Sequence, residues 1–418
     1  MIARRLEELD LHHYESRLDS GLTVSTLVLP QFAKTYAMLG VRYGSMDTRV
    51  PAPGASRPIP AGTAHFLEHR LFESTDGNVM DRFAALGASY NAFTDYFQTA
   101  YLFSATSEEE ACLDHLLTFV QHPHLTAAGV DKERGIIVQE LRMYRDMPEH
   151  RSWHALLNAL YHLHPVRQEI GGSEQSVAEI TADLLIACHQ AFYRPSNMRL
   201  VVVGDVDPKA VVAQAERAFP TPSGPAPAFA PPAEPPTISQ ERVETTMAVS
   251  VPILEIGFKD RDPSTDLGQE TATGLMAEAL FGESSDLYLE LHRQGLITDG
   301  FGAQSFTGPG FGLVAVGGET IDPERLEGEL WRGIETIRKN GLDHTRVDRL
   351  RRRQIGQFWG LFDRPEALAH AWLGMAFQGQ DLFELPDLLE SITVTAVDDR
   401  LTLLDPAQAA VSVVRDAS

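Results

Sequence analysis

Ala64-His65-Phe66-Leu67-Glu68-His69-Arg70-Leu71-Phe72 decides how the rest of this chain is read. In a helix of 3.6 residues per turn, His65 and His69 stand one turn apart with Glu68 beside them, so His65, Glu68, His69 and Phe72 form one stripe. Two neutral imidazoles four residues apart can hold a zinc ion from one helix, and a carboxylate one position before the second His can take a proton from metal-bound water. A His on a half-apolar helix is more often an ordinary packed or surface residue, so this stretch needs support from elsewhere in the chain. Gly62-Thr63 ahead of it reads as a loop with Thr63 as the N-cap.

Support comes from a helix that begins near Thr126 and runs through Leu141. Glu133 and Glu140 are two turns apart on it and share a face with Ile136 and Ile137. Carboxylates on an apolar stripe need a partner, because an unpaired buried charge is costly. Zinc would be such a partner, and an ordinary salt-bridged or solvated pair is the alternative. His154, His162 and His164 form a second candidate cluster, which an amphipathic surface explains equally well.

At 418 residues the chain exceeds one ordinary core, so two domains are expected. Its 43% hydrophobic and 22% charged residues are those of a globular protein. A formal net charge of −23 argues against nucleic acid as a partner, since phosphates would be repelled, and suits basic or neutral peptides. Cys112 and Cys188 lie in no ligand spacing, which fits a reducing compartment. Met1 to Glu8 has two arginines followed at once by acids and no apolar run, so no signal peptide is expected there. The longest apolar runs are of strand length, so no membrane span is expected.

In chain order, residues 21–29 and 35–44 read as two strands forming a hairpin around Pro30. A Pro/Gly/Ala-rich loop over 51–62 leads to the His-bearing helix, and residues 79–86 form another helix closed by Gly87. Residues 88–94 and 99–105 read as paired strands, 108–121 and 182–192 as helices, and 197–205 as a buried strand. Eight prolines between Pro220 and Pro236 mark an extended, semi-rigid linker. Beyond it the order recurs in outline: strands at 248–258, 312–318 and 409–414, with helices at 267–281, 287–291, 323–339 and 345–361. The division is therefore a catalytic domain over 1–218, a linker over 219–241 and a second domain over 242–418. The fold class is α+β: two tandem homologous domains, each a mainly antiparallel sheet with helices on one face, with a metal site in the first only.

Assembled, these residues resemble the M16 (pitrilysin or insulinase-like) zinc peptidases over nearly the whole chain, in the two-domain size class of bacterial and mitochondrial-processing-peptidase-like members. The resemblance is carried by 62–72, 87–94, 99–104, 133–140 and 193–198, and His65-x-x-Glu68-His69 is the inverted form of the HExxH signature. It implies a zinc metalloendopeptidase in which His65, His69 and Glu140 hold one zinc per chain. Glu68 would be the general base toward the zinc-bound water, and Glu133 would support the site from behind the ligands. Asn91 and Ala92 match the strand edge to which an extended peptide substrate adds. A cytoplasmic protein is implied, as a homodimer or heterodimer, with no nucleic acid or membrane partner. Active relatives carry an Arg and, seven residues on, a Tyr in the second half; aligned on Gln294-Gly295-Leu296, those places hold Leu291 and Thr298. That departure leaves a second reading, a catalytically idle structural or peptide-binding subunit, beside that of a catalytic subunit whose partner supplies the pair.

Overall fold

The structure, a computed structural model, describes residues 1–7, 9–52, 55–74 and 77–416. It contains two compact units, each discontinuous in sequence: Met1–Leu141 with Glu169–Phe229 and Gly360–Leu382, and Arg142–Gln168 with Ala230–Trp359 and Phe383–Ser418.

The first unit is built on a seven-stranded sheet in the order Ile2–Leu6, Leu11–Arg17, Thr23–Val28, Met198–Gly204, Thr35–Val41, Thr99–Ala105 and Ser89–Thr94. All pairs are antiparallel except Thr23–Val28 with Met198–Gly204. The hairpin expected around Pro30 does not form. Met198–Gly204 is inserted between its two arms, pairing Leu200 with Val24 on one side and with Leu39 on the other. The reason is burial: Leu200 to Val203 are all apolar and at most 1% exposed, and such a run is most stable at the centre of a sheet. Ala37, Leu39, Val41, Leu200 and Val202 turn one face into a core shared with Phe66, Leu67, Leu116 and Ile137. The opposite face is covered by helix Pro365–Phe377, where Tyr36 meets His370 at 2.9 Å. Gly40 permits this approach, since a Cβ there would lie 2.7 Å from Leu373.

The second unit repeats the plan with five strands ordered Arg242–Thr246, Ala409–Arg415, Ile253–Lys259, Phe311–Glu319 and Gly302–Gly308. Numbered within their own repeats, these run first, fifth, second, fourth, third. The last five strands of the other sheet have the same order, with the same parallel first–fifth pair. That coincidence is the tandem repeat expected from the sequence. Leu254, Ile256 and Phe258 face a core with Leu275, Leu280, Leu330 and Leu350, while helix Pro148–Leu160 packs on strands Ile253–Lys259 and Ala409–Arg415.

Both sheets are thus roofed on a second face by a helix that comes, in chain order, from the other half. The sequence division at 218 and 242 follows chain order, whereas the compact units exchange one helix in each direction. An amphipathic helix declares which stripe is apolar but not which sheet it will cover. Arg49–Ala52 and Ala55–Pro58 pair as a ribbon that runs into the stretch 51–62 expected to be loop, and Pro53 and Gly54 lie outside the described residues. Residues 220–236 carry no regular structure, as their prolines require.

Glu255, on strand Ile253–Lys259, accepts a hydrogen bond from Ser152 Oγ at 2.6 Å, and burial pushes its pKa up to about 7. A carboxyl whose folded pKa is raised binds its proton more tightly in the native state, so stability falls as pH rises from the ordinary carboxylate range to about 7. Glu255→Gln is therefore expected to raise the melting temperature at pH 8, by a contribution on the order of 3 kcal/mol, and to leave it close to the parent at pH 5. Thermal scans at the two pH values check this; an equal shift at both would contradict it.

Candidate metal centre

Helix Thr63–Leu71 carries both histidines. It is capped by Gly62, in the left-handed region at φ 89°, rather than by Thr63; Thr63 is the first helical residue and donates its hydroxyl to Pro60 O at 2.6 Å. Helix Ala127–Arg145 lies alongside and presents Glu133 and Glu140, as their two-turn spacing requires.

The two helices bring His65, His69 and Glu140 together, with one ligand-type atom from each lying within 4.8 Å of the others. His65 Nε2 is 3.7 Å from one Glu140 oxygen, and His69 Nε2 is 3.4 Å from the other. Tetrahedral zinc with bonds of about 2.0–2.1 Å spaces its ligand atoms about 3.4 Å apart, so the three side chains fit the ion. Among the described residues this is the one His/Cys/Asp/Glu group that could hold a metal.

Glu133 is not in that group. Its Oε1 lies 2.9 Å from His69 Nδ1, the ring nitrogen facing away from Glu140. Such a carboxylate fixes the tautomer of a ligating histidine and leaves Nε2 free to bind. The electrostatics follow from this packing. Burial opposes a charge on His69, but the bonds to Glu133 and Glu140 outweigh it and push the pKa up to about 10. Burial, aided by the charge on His69, pushes His65 down to about 4. The carboxylates thus stabilise one positive charge at the centre, which a divalent cation would supply while displacing the proton.

Glu68 is 8% exposed, and burial raises its pKa against the opposing effects of Thr94 and His69. Thr94 Oγ1 donates to Glu68 Oε2 at 2.6 Å. Thr94 is a site residue to which the sequence assigns no role; its alternation with Ala92 on one face of the strand is the signal that points to it. Asn91 and Ala92 lie on Ser89–Thr94, the last strand of the sheet, so its outer edge has no strand partner in the seven-stranded order. Ala92 N–H is bonded to Asn91 Oδ1 at 2.9 Å.

The second candidate histidine cluster, His154, His162 and His164, does not assemble. His154 is buried beside His150, with ring centroids 4.4 Å apart, whereas His164 Nε2 bonds to Pro309 O and its Nδ1 accepts from Val166 N–H. Leu291 is wholly buried in the core of its unit, and Thr298 lies 3.3 Å from Glu319. Arg293 is paired with Glu290 at 2.6 Å. Among the described residues no helix is long and apolar enough to cross a membrane.

Comparison with known proteins matches residues 57–174 to the family model described as insulinase (peptidase family M16), and residues 179–354 to that of the peptidase M16 inactive domain. The uncharacterized zinc protease YmfH of Bacillus subtilis is 37% identical over 414 residues, covering 94% of each chain. An uncharacterized zinc protease of Mycobacterium tuberculosis is 33% identical over 207 residues, 48% of this chain and 45% of that one. Among solved structures, an M16-like peptidase from Alicyclobacillus acidocaldarius superposes with a TM-score of 0.93 at 34% identity, covering 97% of this chain and 99% of that one. Pitrilysin, at 19% identity and a TM-score of 0.76, shares the fold over 98% of this chain and 45% of its own.

Proposed function

The chain belongs to peptidase family M16, and from that premise we propose that it is a zinc-dependent metalloendopeptidase acting on peptides or unfolded segments. The observation that carries the reading is the convergence of His65 Nε2 and His69 Nε2 on one carboxylate, Glu140, with the buried Glu68 next to His69 in the chain. His65, His69 and Glu140 would hold the ion, and zinc, when bound, supplies Lewis acidity toward a water molecule and a scissile carbonyl.

The chain's own groups do the remaining work. Thr94 occupies Glu68 Oε2, which leaves Oε1 to take the proton of the attacking water and return it to the departing amine nitrogen. Burial makes Glu68 a stronger base than a solvated carboxylate. Glu133 keeps His69 oriented. The outer edge at Asn91 and Ala92 offers main-chain groups to an extended peptide, provided the local bond from Ala92 N–H to Asn91 Oδ1 opens to receive it. The free, buried thiols of Cys112 and Cys188 support a cytoplasmic setting.

A second reading is favoured by one specific observation, the burial of Leu291 and the pairing of Thr298 where active relatives have Arg and Tyr. Leu291 offers no polar group to a substrate backbone and Thr298 only a hydroxyl that meets Glu319, so a related second subunit would supply the pair. The test is hydrolysis of a fluorogenic peptide mixture by the chain alone and with a related subunit that carries Arg and Tyr. Hydrolysis abolished by chelation and restored by zinc, in either arrangement, is the expected result. No hydrolysis in both would favour the idle subunit.

A further inference from the structure

Arg70 directly follows His69, and from the sequence it looks like an ordinary helix-surface cation. It is 0% exposed. A guanidinium removed from water costs several kcal/mol unless charges and acceptors surround it, so its partners need a reason. Nη1 lies 2.6 Å from Glu73 Oε2 and 3.7 Å from Glu133 Oε2, and Nη2 donates to His124 O at 3.1 Å. Glu73 is itself paired with Lys132 at 3.1 Å. The other oxygen of Glu133 is the one that faces His69 Nδ1.

The glutamate-bearing helix is shaped around this group. At Gly129 a Cβ would stand 2.4 Å from Arg70 Nη2 and 2.9 Å from its Cζ, so the guanidinium rests where any other residue would place a side chain. The result is a wedge between the two helices that presents one carboxylate oxygen to Arg70 and the other to His69.

We propose that Arg70 is a positioning residue for the metal centre: through Glu133 it fixes the orientation and tautomer of His69, so that Nε2 faces His65 and Glu140. This rests on the zinc-site reading given above. Arg suits the task because its planar fork can meet Glu73, Glu133 and a backbone carbonyl at once, which a Lys ammonium cannot do with the same geometry. Glu133 held by Arg70 accepts from His69 Nδ1–H in one direction, and the histidine has no second tautomer of similar energy to visit.

The experiment measures zinc affinity of the metal-free chain against a competing chelator, in the parent, Arg70→Met, Arg70→Lys, Glu133→Gln and the double variant Arg70→Met/Glu133→Gln, with circular dichroism on each. Arg70→Met is expected to weaken affinity roughly 10- to 100-fold, the range for groups that orient a metal ligand. Arg70→Lys should recover part of the loss. The double variant should bind no more weakly than Glu133→Gln alone, because both substitutions break the same chain of contacts. A purely structural role would instead lower the melting temperature and leave affinity at the parental value, and that result, or additive losses, would overturn the proposal.

Should Arg70→Met not fold, Gly129→Ala displaces the guanidinium without removing a charge. Ala is the better helix former by up to ~1 kcal/mol, but its methyl crowds a buried group, so the melting temperature is read beside the affinity and zinc binding is measured where the variant is folded. Weakened zinc binding in Gly129→Ala supports the proposal, and parental binding overturns it. A parent chain that binds no zinc would fail the zinc-site reading itself, a distinct outcome.

Discussion

Glu68→Gln is expected to retain its zinc and to lose peptide hydrolysis by roughly two to four orders of magnitude, the usual contribution of a positioned general base. The substitution keeps the shape of the side chain and an oxygen for the Thr94 hydroxyl, which now donates to Glu68 Oε2 at 2.6 Å. What it removes is the group that accepts a proton. Glu68 is not among the three side chains whose atoms converge, so metal affinity should change little. The check is turnover of a fluorogenic peptide beside zinc content on the same preparation, in whichever arrangement, alone or with a related subunit, the parent is active. A variant that cleaves at the parental rate would remove Glu68 from the mechanism. A variant that loses both zinc and turnover would make it a ligand instead of a base.

The second large effect lies in the other unit, far from any catalytic role in sequence. Lys259 is 3% exposed, and its Nζ donates to Glu234 at 2.7 Å and to the carbonyls of Leu160, Pro235 and Thr237 at 3.0, 2.9 and 2.8 Å. Glu234, within the proline-rich segment, also accepts from the N–H groups of His162, Leu163 and His164, each at 2.8 Å. These contacts outweigh the cost of burial and hold its pKa down to about 2. Lys259→Met should destabilise the unit by about 3–5 kcal/mol, because it leaves an unpaired buried carboxylate and three carbonyls without their donor. A depressed carboxylate pKa gives stability that is complete above the ordinary range near 4.5 and is lost as pH falls toward 2, so the parent's advantage over the variant should shrink in acid. Denaturant titration at pH 7 and pH 3 measures both effects. A variant within about 0.5 kcal/mol of the parent at pH 7 would show that the pair contributes no net stability.

The residues of the candidate metal centre were legible because their spacings are local. Four- and seven-residue spacings fix which side chains share a helix face, so His65, His69, Glu133 and Glu140 could be named without knowing how the helices meet. The lack of regular structure over 220–236 was legible from prolines that cannot join a ladder. Strand order was not, because pairing between Thr23–Val28 and Met198–Gly204 spans most of the unit and leaves no mark in either segment. Helices Pro148–Leu160 and Pro365–Phe377 were missed for a related reason: covering a sheet needs only an apolar stripe, and the sheet each one covers is set by the whole fold. Arg70 and Lys259 look like surface cations until their partners, up to 99 positions away, are in place. Buried charge is the feature that local sequence conceals most completely.

Whether His65, His69 and Glu140 form a zinc centre is decided by elemental analysis of the purified chain beside His65→Ala and Glu68→Gln. Close to one zinc per chain is expected in the parent and in Glu68→Gln, and a small fraction of that in His65→Ala. A parent without zinc, or zinc retained undiminished in His65→Ala, would contradict it.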